Sequence, residues 1–573
     1  MCGFIGILDF NDEIDQSIFK KSLKNINHRG PDASGIWFNK KNVLLGHNRL
    51  SIIDTSENAN QPMLSANKEA VIVFNGEIYN FKNLKENLSF KKFKTHSDTE
   101  VILEGYLEKG TSFFKNLRGI YSFAIFDRRI TNKIILARDP SGVKPLYYYT
   151  KKNKIVFGSE IKAIKPLIKN IYSINEIAIK QYLNLGYVPE PNTVYNEINA
   201  LNPGNYYIWS HEKTDANAQQ ERKFYSYDFD NINSNSFEQN IEKTSYLLEN
   251  AVKRNLVSDV NINLSLSGGI DSSIIYYYAN KHEKNILAQT ISFSNDSNFD
   301  ESKISKNYSR HLSGRHEIIK MKENIDLEFI DKIFLHFDQP YADTSAIPTY
   351  FINKEASKST KVIIGGDGGD ELFNGYPSQT FLSLIMPMRD LNFFWRCFNY
   401  IKLIAPSNMH RKINRLCDLV KSGTDPLDIL YSYNSWFPMF SKFENENAFK
   451  NTTYFNHIES YKDIFQDEIP KQIKSKIIFD YFRKTLLSDY LRKTDMMSML
   501  NGVEWRVPML DEDLTSFAFT IPFNQKSNIN NYKLPLKTIH SRKYPSHLSN
   551  LTKSGFGIPL DSYINNDDKK FIS

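Results

Sequence analysis

Short apolar runs separated by Gly, Asn, Pro and Lys turns dominate residues 1–208. MCGFIGILDF (1–10), NVLLGH (42–47), AVIVFN (70–75), YSFAIFD (121–127) and KIILARD (133–139) have the length and the β-branched or aromatic content of strands. Two helical stretches, near 18–26 and 97–108, interrupt them, which predicts an α+β layer sandwich. Residues 209–236 are polar with few aliphatics and read as a surface linker. From 237 the pattern becomes helix, strand, helix: a helix over 241–255, a strand over 261–266, a Gly-rich turn, and a helix from about Asp271. Further strands over 286–293 and 361–365, each with a helical partner, predict a parallel sheet with crossover helices. Beyond Phe381 the pattern is mostly helical.

Composition narrows the picture by exclusion. The chain has 573 residues, 41% hydrophobic and 24% charged, an ordinary globular balance long enough for two or more domains. Its net charge of +7 comes from 72 basic and 65 acidic residues with no long unmixed block, which suits anionic small molecules and gives no argument for nucleic acid. Cys2, Cys397 and Cys417 form no CxxC pair, so a reducing, cytoplasmic setting is expected and a zinc site is not. No secretory leader pattern opens the chain. The most apolar later stretch, 381–406, is interrupted by Arg389, Asp390, Arg396 and Lys402, so no membrane span is expected.

Three features carry chemistry. SLSGGIDSS (265–273) sits where a strand ends and a helix begins. Gly268 and Gly269 admit a close anion, the hydroxyls of Ser267, Ser272 and Ser273 add donors, and the helix start adds partial positive charge, which together make a phosphate cradle. The Walker lysine is missing, and Asp271 stands where a metal on pyrophosphate would take a hard oxygen. A second loop, GGDGGDE (365–371), gathers Asp367, Asp370 and Glu371 after an apolar strand; such acids repel phosphates unless a divalent cation bridges them, which implies Mg²⁺. Two such loops at the carboxyl ends of parallel strands read as one nucleotide crevice. The third feature is Cys2. Removal of Met1 would leave it with a thiol and a free α-amine, a nucleophile carrying its own base.

The ordered motifs resemble the glutamine-hydrolysing asparagine synthetases over nearly the whole chain. MCGFIGILDF, HRGPDASG (28–35), HNRLSIID (47–54), FNGEIYN (74–80), SDTEVIL (97–103), ARDPSGVKPLYY (137–148) and FGSEIKAI (157–164) are similar to that family's glutaminase domain. SLSGGIDSS, NFDES (298–302), GGDGGDELFNGY (365–376), EWRVPMLD (504–511) and KSGFGIP (553–559) are similar to its synthetase domain. The resemblance implies an Ntn-hydrolase αββα sandwich over 1–208, a linker over 209–236, and an α/β parallel-sheet ATP pyrophosphatase domain with added helices over 237–573, with ammonia passing between the two.

Carried over by position, the resemblance makes Cys2 the glutaminase nucleophile and gives the oxyanion hole to the Asn75 side chain and the Gly76 backbone. It gives the glutamine α-carboxylate to Arg49 and the α-ammonium to Glu77 and Asp98. ATP falls to Leu266, Ile291 and Gly366 around the adenosine, to Ser267, Gly268, Gly269, Asp271, Ser272 and Lys553 around the phosphates, and to Gly365 as a further ATP-binding position. Mg²⁺ falls to Asp271 and Asp370, the amide-forming step to Asp367, and a structural ion pair to Glu504 and Arg506. Two positions depart from the pattern: Asp367 stands where well-studied members carry Glu, and Met496 where a basic residue is common. The expected reaction joins ammonia from glutamine to L-aspartate, with ATP cleaved to AMP and diphosphate. A same-chemistry amidotransferase acting on a sugar acid or another carboxylate is the alternative, and a silent nucleotide-binding relative is a third reading. Small molecules are the expected partners, and a homodimer is left open.

Overall fold

The computed structural model describes residues 2–169, 172–211, 219–293, 300–321, 325–388 and 469–549. Its first half is built on two antiparallel sheets. One contains Gly3–Asp9 (β1), Ala33–Phe38 (β2), Val43–Arg49 (β3), Tyr147–Lys151 (β8), Lys154–Gly158 (β9) and Ile198–Ala200 (β10), in the order β10-β8-β9-β1-β3-β2. The other contains Met63–Leu64 (β4), Ala70–Ile78 (β5), Gly119–Asp127 (β6), Lys133–Arg138 (β7), Asn205–Ser210 (β11) and Gln220–Lys223 (β12), in the order β12-β11-β7-β6-β5-β4.

Strand alternation explains the layering. On β1, Ile5 and Ile7 pack with Phe19, Leu23 and Ile164 of the helices Gln16–Lys24 and Ile161–Leu167, while Phe4 and Leu8 face Val71, Val73 and Phe126 of the other sheet. On β5, the remaining face places Ile72 and Phe74 with Val101 and Ile102 of the helix Asp98–Lys109. Both faces of both central strands are therefore covered, and β1 and β5 are buried throughout. The result is helix, sheet, sheet, helix, the sandwich expected from the sequence. Each fully buried Ile, Leu or Phe contributes roughly 1.5–3 kcal/mol relative to exposure.

The second half holds a five-stranded parallel sheet of Ile262–Ser265 (β13), Leu287–Ser292 (β14), Arg315–Lys320 (β15), Val362–Ile364 (β16) and Glu504–Arg506 (β17), ordered β15-β14-β13-β16-β17. The helix Phe237–Asn255 that precedes it starts at a capping box, Ser236 with Gln239, and buries Ile241, Leu247, Leu248, Ala251 and Val252 on one stripe. From β13 the chain runs outward through β14 and β15, then returns to place β16 on the other side of β13. Strand order thus reverses between β13 and β16, and a crevice opens outside their carboxyl ends. The loops at 265–269 and 365–369 flank that crevice.

One expectation changes. β12 lies inside the stretch read as linker, paired with β11 from Asn205↔Lys223 to Ile208↔Gln220. Its polar composition hid it, because the pairing is anchored by polar groups: the Glu221 carboxylate accepts hydrogen bonds from the Asn202 backbone N–H (2.8 Å) and the Asn205 side chain (3.0 Å). Among the described residues no helix is long and apolar enough to cross a membrane.

Candidate functional site

Two centres form, one in each half. The first lies at the start of β1. Cys2 is buried; its backbone nitrogen donates to Asn75 Oδ1 at 2.9 Å, and its Sγ lies 4.0 Å from the Leu50 carbonyl oxygen. Burial pushes the thiol pKa up, and the positive amino terminus pulls it back. Asn75 stands on β5 and is fully buried. Its Oδ1 is taken by Cys2, while its Nδ2 is buried with no hydrogen-bond partner among the described residues. A buried amide donor left over beside a thiol is what an oxyanion requires. Gly76 follows at φ 142°, and a Cβ there would lie 2.0 Å from the Ile120 carbonyl oxygen, so only glycine fits.

The carboxylates expected for an ammonium are also here. Glu77 is buried, with Oε2 unpartnered among the described residues, and its pKa is raised well above the usual range by burial and by the nearby charges of Glu504 and Asp98. Asp98 opens the helix Asp98–Lys109 and accepts the Ile78 N–H at 2.8 Å; burial raises its pKa to about 6. A cation between these acids would relieve both. Arg49 is spent on its own loop: Nη1 donates to the Ser56 carbonyl (2.7 Å) and Asn60 Oδ1 (2.8 Å), and Nη2 to the Asp54 and Ile53 carbonyls. It braces the loop beside the nucleophile, and would grip a carboxylate only by exchanging some of these bonds. His47 is buried; its Nε2 donates to the Phe74 carbonyl at 3.0 Å, its Nδ1 has no hydrogen-bond partner among the described residues, and burial keeps it neutral with a pKa of about 3.

The second centre is a cavity of about 490 Å³ at the carboxyl ends of β13 and β16, lined by Ser267, Asp271, Asp367, Asp370, Lys493 and others. Within the 265–273 loop, Ser267 and Ser272 are joined at 2.9 Å, and the Gly269 N–H donates to Ser267 Oγ at 3.1 Å. The Gly268 N–H donates to a carboxylate, Glu301 Oε2, at 2.9 Å, so this backbone accepts an anion in the structure itself. Leu266, just past the end of β13, and Ile291 of β14 are buried. In the second loop, Gly365 leaves room for the Trp505 indole, whose Nε1 a Cβ would approach to 2.2 Å; that Nε1 donates to Asp367 Oδ2 at 2.8 Å. A Cβ on Gly366 would come within 3.2 Å of the Ser272 nitrogen, so the two loops are in close contact. Glu371 accepts the Tyr376 hydroxyl at 2.6 Å, and burial with the adjacent Asp370 raises its pKa to about 8.

Asp271 and Asp370, read as metal ligands, are brought together from the two loops by Lys533, whose Nζ is 2.6 Å from an oxygen of each. Their hard oxygens converging on one positive charge fit a divalent cation such as Mg²⁺. Sequence reasoning missed Lys533, since nothing in NNYKLPLK marks it, and it missed Lys493, which donates to Asp343 Oδ2 (2.8 Å) and Ser345 Oγ (2.6 Å) in the same cavity. Lys553 lies outside the described residues. Glu504 and Arg506 do pair, at 2.5 Å, and both are fully buried on β17.

Several polar links between the halves are buried. Arg29 contacts Glu160 at 2.8 Å and Asp495 at 2.9 Å, and Glu190 joins Arg138 (2.5 Å) to Arg492 (3.1 Å). His28, Glu160 and His336 come close enough for a metal ion, within 4.8 Å. Arg29 and Lys162 already hold the Glu160 carboxylate, at 2.8 and 2.9 Å, and their charges oppose a metal there. Replacing Arg29 with Met is expected to cost about 3–5 kcal/mol, because two buried carboxylates each lose a charged partner. Thermal or denaturant unfolding measures this; a change below about 1 kcal/mol would show the pair to be dispensable.

Comparison with known proteins agrees with this two-centre layout. Residues 1–225 match the glutamine amidotransferase domain family, and residues 243–572 match the asparagine synthase family. Asparagine synthetase [glutamine-hydrolyzing] 1 of Bacillus subtilis (strain 168) is 30% identical in an alignment spanning 100% of this chain and 89% of its own length. Asparagine synthetase [glutamine-hydrolyzing] 3 of the same organism is 28% identical across 93% of this chain and 83% of its own. Asparagine synthetase B [glutamine-hydrolyzing] of Escherichia coli (strain K12) is 29% identical across 66% and 65%.

Proposed function

The chain belongs to the glutamine-hydrolysing asparagine synthetase family, and from that premise we propose that it converts L-aspartate, ATP and L-glutamine to L-asparagine, AMP, diphosphate and L-glutamate. Glutamine-dependent amide synthesis is the family's common chemistry; the acceptor is the finer part of the reading. The observation that carries the glutaminase half is Asn75, one end of whose amide holds the Cys2 nitrogen while the other, Nδ2, is buried and unpartnered among the described residues.

In this reading the α-amine of processed Cys2 takes the thiol proton, and the thiolate attacks the glutamine side-chain carbonyl. Asn75 Nδ2 and the Gly76 backbone receive the developing oxyanion, each such donor being worth roughly 2.7–4 kcal/mol. The amine returns the proton to the departing nitrogen, ammonia leaves, and water cleaves the thioester to glutamate. Glu77 and Asp98 hold the substrate ammonium, which offsets the charge repulsion that raises their pKa values.

In the second centre an oxygen of the acceptor carboxylate attacks the α-phosphorus of ATP and diphosphate leaves. Asp271 and Asp370 would hold Mg²⁺, which supplies charge neutralisation on the departing diphosphate. The 265–273 loop cradles the phosphates. Ammonia then attacks the acyl-adenylate carbon, its surplus proton passes to Asp367, and AMP departs. Lys493 and Asp343 supply one positive and one negative group inside the cavity, which suits an acceptor that carries both signs of charge, as an α-amino acid does.

The test is competition. With a panel of carboxylates supplied together, aspartate is expected to give asparagine as the dominant amide by mass spectrometry. Amidation of a sugar acid in preference to aspartate would transfer the reading to that acceptor class. A polar site that must pair buried groups with a specific acceptor discriminates strongly, on the order of 10⁴-fold.

A further inference from the structure

We propose that Lys533 is a resident cation occupying the divalent-metal position of the synthetase centre, and that it is displaced only when metal and nucleotide arrive together. The inference rests on the reading that Asp271 and Asp370 hold Mg²⁺.

The geometry is specific. Lys533 Nζ lies 2.6 Å from Asp271 Oδ2 and 2.6 Å from Asp370 Oδ1, so one ammonium spans the two loops of the crevice. Its backbone is in the left-handed region, φ 54° and ψ 39°, an uncommon state for a residue with a side chain. Such strain persists where surrounding structure enforces it. Here the enforcement comes from the helix Leu534–Lys543, which begins at the next residue with Pro535 in its first turn and buries Leu536 and Ile539. The space beside it is held open by a glycine: a Cβ on Gly375 would lie 1.8 Å from Asp370 Oδ1 and 2.3 Å from Lys533 Cε. The backbone of Lys533 is thus anchored, while its flexible stem can redirect the charge.

Charge then dictates the order of events. One ammonium offsets one of the two carboxylate charges and keeps the loops from repelling each other. A divalent ion held by the same two oxygens would occupy the space that Nζ now fills. Nζ cannot remain 2.6 Å from both oxygens at the same time without two cations in near contact. Bare metal must therefore expel Lys533 into a crevice whose other carboxylates are already engaged: Glu301 accepts the Gly268 N–H, Asp343 the Lys493 ammonium, Asp367 the Trp505 indole N–H and Glu371 the Tyr376 hydroxyl. When the polyphosphate enters with the metal, its oxygens give Lys533 a new partner, and the exchange loses no ion pair. Metal binding is in this way coupled to nucleotide binding by a residue that pairs first with the carboxylates of the metal position and then with the polyphosphate.

Manganese is a suitable probe, read by electron paramagnetic resonance of free Mn²⁺ with the full chain. For the unmodified protein, Mn²⁺ affinity is expected to rise roughly tenfold or more when a non-hydrolysable ATP analogue is added, within the usual range of coupling between ligands. In Lys533→Met without nucleotide, Mn²⁺ is expected to bind about 5–150-fold tighter than in the unmodified protein. Adding Asp370→Asn to that variant should abolish the gain, which locates it, and Lys533→Arg should resemble the unmodified protein. Equal nucleotide-free affinity in Lys533→Met and the unmodified chain would overturn the proposal. So would tight Mn²⁺ binding by the unmodified protein alone, a result that does not depend on any variant folding. Whether the unmodified enzyme releases AMP and diphosphate is a separate assay, so failure of the functional reading and failure of the exchange are distinguishable.

Discussion

Cys2→Ala is expected to abolish glutamine-dependent amide synthesis and to leave synthesis from ammonium salts largely intact. The thiol belongs to the residue whose backbone nitrogen Asn75 holds, and the other end of that amide is unpartnered among the described residues, while the acids and lysines of the second centre lie on β13, β16 and the segments that follow them. Removing a covalent nucleophile costs several orders of magnitude, because the residual catalysis must come from binding and the oxyanion donors alone. The measurement is paired: glutamate release from glutamine, and amide product with ammonium chloride at saturating ATP. Mass of the purified protein should also lack Met1, since the α-amine of Cys2 is its base. Glutamine hydrolysis by the alanine variant, or an active enzyme that keeps Met1, would remove Cys2 from its role.

The second large effect is expected at Asp367. Asp367→Asn should lower amide formation by on the order of 10²–10⁴-fold, the usual contribution of a positioned acid or base. Its carboxylate lines the cavity, receives the Trp505 indole N–H at 2.8 Å, and contributes charge felt by Lys493. The amide replacement keeps size and hydrogen bonding, so the lost function is proton acceptance. Glutaminase activity measured alone should be nearly unaffected. Turnover close to normal would make Asp367 a residue that shapes its loop through Trp505 and nothing more.

How much of this was legible beforehand varies with the range of the interaction. β1, β5, β6 and β7 were visible because a strand buried on both faces leaves an apolar run in the local sequence. The two Gly-rich loops were visible for a related reason: a strand, a tight turn and a helix start are consecutive in the chain, and the chemistry they support is local. β12 was not, because its stability comes from polar contacts to Asn202 and Asn205 rather than from apolar alternation.

The amino-acid sequence by itself determined the fold class of each half and the two Gly-rich loops with their acids. Each depends on residues within a few positions of one another, or on motifs whose order can be read directly. Only the tertiary structure decided what neutralises those acids. Lys533 meets Asp271 across 262 positions, Arg29 meets Asp495 across 466, and Lys493 meets Asp343 across 150. A lysine or arginine in sequence carries the same charge whether it ends in solvent or in a buried pair. Its partner is chosen by which surfaces the packed sheets and helices bring together, and burial sets the strength of the choice by removing the water that would otherwise compete.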